Sequence, residues 1–126
     1  MTAATTPSAV GQIAIHIKDL GRAVTFYRDV VRLPMLFEVP PTLAFFGCGG
    51  VRLMLSAPSE EQFDHASSVI YFRVDDLQGA YDGMVSRGAT FLGAPHLIAR
   101  MPDHELWMAF FKDTEGNVNA LMSERR

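Results

Sequence analysis

The sequence predicts an α+β fold made of two βαβββ modules, and three observations carry that expectation. The stretch 12–20, QIAIHIKDL, returns at 69–77 as VIYFRVDDL. A shift of 57 lays Ile13 on Ile70, Ile15 on Phe72, Ile17 on Val74, Asp19 on Asp76, Leu20 on Leu77 and Ala23 on Ala80. Each copy alternates apolar and polar residues, the period of a strand with one buried face, and then passes through an Asp able to cap a helix. After each helix come short apolar runs separated by Pro and Gly turns, the signature of consecutive strands.

Residues 1–9, MTAATTPSA, lack the basic and apolar regions of a secretory signal and read as a flexible arm. A single domain is expected over 10–126, with module one at about 10–57, a linker at about 58–67 and module two at about 68–124. In the first strand Ile13, Ile15 and Ile17 should face the helices, leaving Gln12, Ala14 and His16 opposite. The helix that follows carries Leu20, Ala23, Val24, Tyr27, Val30 and Val31 at helical spacing, and Pro34 ends it. Strands are expected at 35–39, 43–46 and 51–56, divided by Pro40-Pro41 and a turn over 47–50. In the last of them Val51, Leu53 and Leu55 form the apolar side, and Arg52, Met54 and Ser56 the other.

In module two, Ile70, Phe72 and Val74 mirror the isoleucines and place Val69, Tyr71 and Arg73 opposite. A helix over 76–87 bears the stripe Leu77, Ala80, Tyr81, Met84 and Val85. Gly88 suits the left-handed residue beyond its end. Strands at 90–92, 96–101, 105–111 and 118–122 complete the module.

Composition excludes several classes of function. The chain has 126 residues, 48% hydrophobic and 20% charged, ordinary for a globular domain. A net charge of −3 gives no basic surface for nucleic acid. Cys48 is the single cysteine, so there is no internal disulfide and a reducing, cytoplasmic location is expected. It reads as a small core residue. No apolar run approaches the ~20 residues needed to span a bilayer, and no membrane association is expected.

The duplicated order, with KDL and DDL opening the helices, GGVRLMLS closing module one and FFKDTEGNVNALMS closing module two, resembles the vicinal oxygen chelate superfamily. That group includes glyoxalase I, extradiol dioxygenases and metal-free bleomycin-binding proteins. Its most specific mark is the acidic turn Asp113-Thr114-Glu115-Gly116-Asn117, similar to the family's D-P-D-G-N. The resemblance implies one open, cup-shaped mixed sheet with helices outside and the ligand on the concave face. In metal-dependent members the first and last strands of each module supply His, Glu or Gln to a divalent ion that acts as a Lewis acid. Carried over singly, those positions fall on Gln12, Met54, Val69 and Ala120. Only Gln12 matches. A divalent ion needs three or more oxygen or nitrogen donors, so neither a metal nor another cofactor is expected at the family's usual place. A relocated site using His16, His96 or His104 with Glu105 stays open.

The face opposite the helices is mostly apolar with a few polar anchors, the make-up of a small-molecule pocket. His16 and Arg73 are 57 apart and would suit a ligand with carboxylate, enolate or phenolate oxygens. Equally, His16 reads as a satisfied interior histidine, Arg73 as a partner of Asp75 or another surface acid, and Arg52 as a surface residue. Trp107, Phe111 and Met101 or Met108, in the hairpin 96–111, read either as core or as a stacking surface for a flat ligand, with Phe37, Phe45 and Phe46 on the opposite wall. The expected ligand-binding set is therefore Gln12, His16, Phe45, Arg52, Met54, Tyr71, Arg73, Met101, Trp107 and Phe111, with no catalytic residue assigned. Two functions are compatible with it. One is a metal-independent protein, a homodimer as its resemblance implies, that sequesters an aromatic or amphipathic organic ligand such as an antibiotic. The other is a glyoxalase-like lyase, isomerase or dioxygenase with a relocated or absent metal, in which His16 would be the base and Arg73 the stabiliser of an enolate.

Overall fold

A computed structural model describes residues 9–57 and 66–126; all but the last residue of the expected arm and most of the expected linker lie outside them. Module one consists of β1 (Gln12–His16), α1 (Leu20–Thr25) continued by a π-helical turn (Phe26–Val30), β2 (Met35–Val39), β3 (Leu43–Cys48) and β4 (Val51–Ser56). Module two consists of β5 (Tyr71–Arg73), α2 (Leu77–Ser86), β6 (Thr90–Phe91), β7 (His96–Arg100), β8 (Glu105–Lys112) and β9 (Val118–Arg125). The α+β fold of two βαβββ modules is the observed one, with β6 as a two-residue addition.

Both helices begin as the sequence predicts. The Asp19 carboxylate accepts from the Arg22 N–H at 3.1 Å, and Asp76 accepts from the Gly79 N–H at 2.9 Å, each satisfying an orphan donor of a first turn. At the end of α2, Gly88 has φ 99°. The Gly88 and Ala89 N–H groups donate to the Val85 and Met84 carbonyls, closing the helix with the left-handed residue that glycine adopts without strain. The π-helical turn was not visible in the sequence. It lets the consecutive Phe26 and Tyr27 both reach the interior, 6% and 0% exposed, which a regular 100° step per residue makes difficult.

The strands form two hydrogen-bonded sheets, one per module. In the first the order is β1-β4-β3-β2; in the second it is β5-β9-β8-β6, with β7 also pairing β8. Strands β1 and β4 run parallel, as do β5 and β9, and the other ladders are antiparallel. Alternation along each strand sorts the side chains onto a helix-facing and an open side. Ile15, Phe46, Leu53 and Leu55 of the first sheet, Ile17 just past β1, and Phe72, Ala109, Phe111 and Leu121 of the second sheet join the helices in one core. Burying each of these larger side chains contributes about 1.5–3 kcal/mol.

Candidate functional site

On the open side of the first sheet, registered pairs bring Gln12 beside Arg52 and Ala14 beside Met54, with Phe45 next to Met54 and Phe37 next to Phe45. The Arg52 Nε–H donates to Gln12 Oε1 at 2.7 Å, and Gln12 Nε2 lies 3.5 Å from Met54 Sδ. The Arg52 guanidinium sits 5.1 Å from the Phe45 ring centroid, within range of a cation–π contact. Phe45 in turn stacks on Phe37 with centroids 4.5 Å apart. Covered by these two neighbours, Phe45 is only 7% exposed although it belongs to the open side, whereas Phe37 is 47% exposed. Four expected site residues thus form one cluster: an amide, a guanidinium, a thioether and an aromatic ring. Phe37 extends it. Phe46, once placed on the same wall, points the other way and is fully buried.

His16 ends β1 at the rim of this face and is half-buried. Its N–H donates to Ser67 Oγ at 2.6 Å and its carbonyl accepts from Asn117 Nδ2 at 2.8 Å. On the second sheet, Tyr71 is 47% exposed. It meets Phe110 edge-on at 6.1 Å, and the His96 ring lies 6.3 Å from the same Phe110. Arg73 pairs with Glu124 at 3.5 Å, an acid other than Asp75, as the surface reading allowed. Tyr71 and Arg73 therefore lie on a different sheet from Gln12, His16 and Arg52, and among the described residues no ladder joins the two sheets.

Three expected residues fall elsewhere. Phe111 is 0% exposed and packs on Phe26, Phe72 and Phe91, so it belongs to the core and leaves the ligand set. Trp107 shares the Phe111 side of β8, four residues and two alternations away, and is covered by Arg125 at 4.2 Å. Met101 follows β7 in the hairpin turn and is 47% exposed, outside the strands that form the two faces. The reason is register: β8 turns Ala109 and Phe111 inward, and hence Met108 and Phe110 outward, opposite Met122 and Ala120. The sequence reading missed Phe110. The small Ala109 between Met108 and Phe110 was the available signal.

The acidic turn holds the modules together. Asp113, 7% exposed, accepts from the Tyr27 hydroxyl at 2.7 Å and from Asn117 Nδ2 and the Glu115 and Asn117 N–H groups, each at 2.8 Å. Asn119 Nδ2 donates to the Tyr27 hydroxyl at 3.0 Å. Burial, and then the Asp113 charge, push the Tyr27 phenol far above its ordinary range. Glu115 accepts from the Lys18 and Asp19 N–H groups and from the Arg22 guanidinium. Burial raises the Glu115 pKa, but those donors outweigh it and the net shift is downward. Burial pushes the Cys48 thiol up, away from the thiolate that reactivity requires.

The residues present do not fit a divalent ion at the positions the resemblance marks. Met54, Val69 and Ala120 offer no hard donor, and the one suitable oxygen, Gln12 Oε1, is engaged by a guanidinium whose charge repels a cation. Among the described residues no group of three or more His, Cys, Asp or Glu is placed to hold a metal, so the relocated set of His16, His96, His104 and Glu105 is not assembled.

A sequence model of the Glyoxalase/Bleomycin resistance protein/Dioxygenase superfamily matches residues 9–121. The chain belongs to this superfamily. Solved structures of similar fold include a lactoylglutathione lyase from Agrobacterium tumefaciens, 26% identical, TM-score 0.72, over 94% of this chain and 95% of that one. A member of the Glyoxalase/bleomycin resistance protein/dioxygenase superfamily from Sphaerobacter thermophilus is 23% identical, TM-score 0.76, over 94% and 98%. TnmS3, an antibiotic binding protein from Streptomyces sp. CB03234, is 21% identical, TM-score 0.75, over 96% and 99%. No curated protein matches by sequence. Within the Glyoxalase/Bleomycin resistance protein/Dioxygenase superfamily the chain thus shares its scaffold with both lyases and binding proteins, and fold alone does not choose between them. Among the described residues no helix is long and apolar enough to cross a membrane.

Proposed function

We propose that this superfamily member is a metal-independent binding protein that sequesters an aromatic or amphipathic organic molecule on its open sheet faces. The observation that carries the reading is the Gln12–Arg52–Phe45–Phe37 cluster. Where a metal-dependent relative would need converging donors, this chain has a guanidinium lying on an aromatic stack, bordered by Met54. Such a surface attracts flat rings through Phe37 and Met54, and acidic oxygens through Arg52. The likeness to TnmS3, described as an antibiotic binding protein, supports antibiotics as the first ligand class to try. The reading includes a cytoplasmic homodimer: Phe37, Val39 and Tyr71 are each 47% exposed, and a second copy would cover this apolar surface and enclose the ligand.

The test is calorimetric titration of a panel of aromatic and glycopeptide antibiotics against the wild type, Arg52→Ala and Phe37→Ala, with light scattering for the dimer. Binding weakened at least tenfold by either substitution is expected. A panel with no binder, or a binder indifferent to both substitutions, refutes the assignment. A second reading, a lyase, is favoured by the 26% identity to the lactoylglutathione lyase. Metal analysis of protein purified without chelator separates the two, since a stoichiometric divalent ion would overturn the metal-independent reading.

A further inference from the structure

Away from both open faces, a cleft of about 380 Å³ lies between the β7–β8 hairpin and the end of β9, lined by Arg100, Met101, His104, Glu105, Arg125 and Arg126. Three guanidinium groups face the two carboxylates of Asp103 and Glu105 there, so the cleft is net positive on a chain whose charge is −3. Most of its charges are already matched. Arg100 pairs with Glu105 at 3.1 Å, and Arg126 pairs with Asp103 at 3.1 Å and Glu124 at 3.8 Å. The His104 ring meets Asp103 at 2.8 Å.

Arg125 is different. Its guanidinium lies over the Trp107 ring, 4.2 Å from the centroid, and among the described residues no carboxylate is within ion-pair distance of it. The ring beneath is itself fixed, because Trp107 Nε1 donates to Glu105 Oε1 at 3.2 Å while the other Glu105 oxygen is held by Arg100. The contact with the ring engages none of the guanidinium N–H donors in an ion pair, and a carboxylate matches their fork. Beside it, Met101 is 47% exposed and offers a soft apolar contact.

We propose that this cleft is a second binding site, for a small carboxylate that carries an aromatic or apolar group. The carboxylate meets the edge of Arg125, and the apolar group packs against Met101. Arg100 and Arg126 raise the local potential without being the direct ligands, since their own carboxylate partners occupy them.

Trp107 is the only tryptophan, and its indole touches two residues of the cleft, Arg125 and Glu105, so it responds to a ligand that reaches them. Benzoate is the probe, with benzamide as its uncharged isostere, followed by the single indole N–H resonance and by tryptophan fluorescence. Benzoate is expected to shift both signals saturably. Arg125→Gln, an exposed substitution checked by circular dichroism, should weaken binding at least fivefold, and Arg52→Ala should leave it unchanged. A wild type that does not respond, benzamide binding as well as benzoate, or an Arg125→Gln loss below fivefold would each overturn the proposal. Sensitivity to Arg52→Ala would also overturn it, by assigning the signal to the open face. Failure of the antibiotic panel leaves this proposal standing, because the two sites share no residue.

Discussion

Replacing Tyr27 by Phe removes one oxygen atom from the contact between the modules. The hydroxyl donates to Asp113 at 2.7 Å and accepts from Asn119 at 3.0 Å, and the Tyr27 side chain is fully buried. Losing a hydrogen bond to a charged acceptor costs about 1.5–3 kcal/mol, and a buried amide N–H left without an acceptor adds about 1–3 kcal/mol, of which local adjustment recovers a part. The expected loss is about 2–4 kcal/mol, a drop in Tm of roughly 8–16 °C for a domain of this size. Urea and thermal unfolding followed by circular dichroism measure it, and an unchanged urea slope would show that stability alone has moved. Tyr81→Phe is the control: its ring packs edge-on against Phe91, the described residues give its hydroxyl no such network, and its effect should stay within about 0.5 kcal/mol. Equal effects of the two substitutions would refute the claim that the acidic turn holds the modules together.

Two further outcomes follow from the same corner of the fold and from the helix caps. The Glu115 pKa is held below its ordinary value by the Asp19 and Lys18 N–H groups and Arg22, against the upward effect of burial. Its contribution to stability is therefore complete above the unfolded value of about 4.3 and is lost as the pH falls through the folded value. The wild type should exceed Glu115→Gln in Tm at pH 7, and the gap should close toward pH 3; a gap independent of pH would contradict this. In the helices, a methyl group at Gly21 meets nothing nearer than Asp19 Oδ1 at 3.8 Å, whereas one at Gly79 comes within 2.9 Å of the Asp76 carboxyl carbon. Gly21→Ala should gain about 0.5–1 kcal/mol. Gly79→Ala should gain nothing, because displacing the cap costs about 0.5–2 kcal/mol. Equal gains in thermal unfolding would disprove the assigned cap.

Elements written in local chemistry were legible in the sequence. Ile13, Ile15 and Ile17 gave the buried side of β1, Asp19 and Asp76 gave both caps, and Gly88 gave the end of α2. The Gln12, Arg52 and Met54 part of the candidate site was also legible, because an alternating strand fixes a face once one residue is assigned. What failed needed information from outside the strand. Phe111 and Phe110 are adjacent and chemically alike, and only the pairing of Ala109 with Leu121 determines which ring enters the core. The π-helical turn answers a tertiary demand, burial of both Phe26 and Tyr27, that periodicity does not record.

The acidic turn also breaks the symmetry that the repeat suggests. Glu115, in the β8–β9 turn, holds the N–H groups of Lys18 and Asp19 at the end of β1. By the shift of 57, the corresponding groups of module two belong to Asp75 and Asp76. The corresponding turn between β3 and β4 is Gly49-Gly50, which has no carboxylate to return the contact. Module two therefore anchors module one without being anchored in the same way. The strand lengths agree with this: β1 is ordered over five residues, while β5 pairs over only three. The consequence reaches the candidate site. The Gln12–Arg52 face stands on a strand held at its far end by the acidic turn, whereas Tyr71 and Arg73 stand on a short edge strand with 47% of Tyr71 exposed. A ligand that spans both faces would thus find the guanidinium–aromatic stack in position and would meet Tyr71 on a strand paired over only three residues.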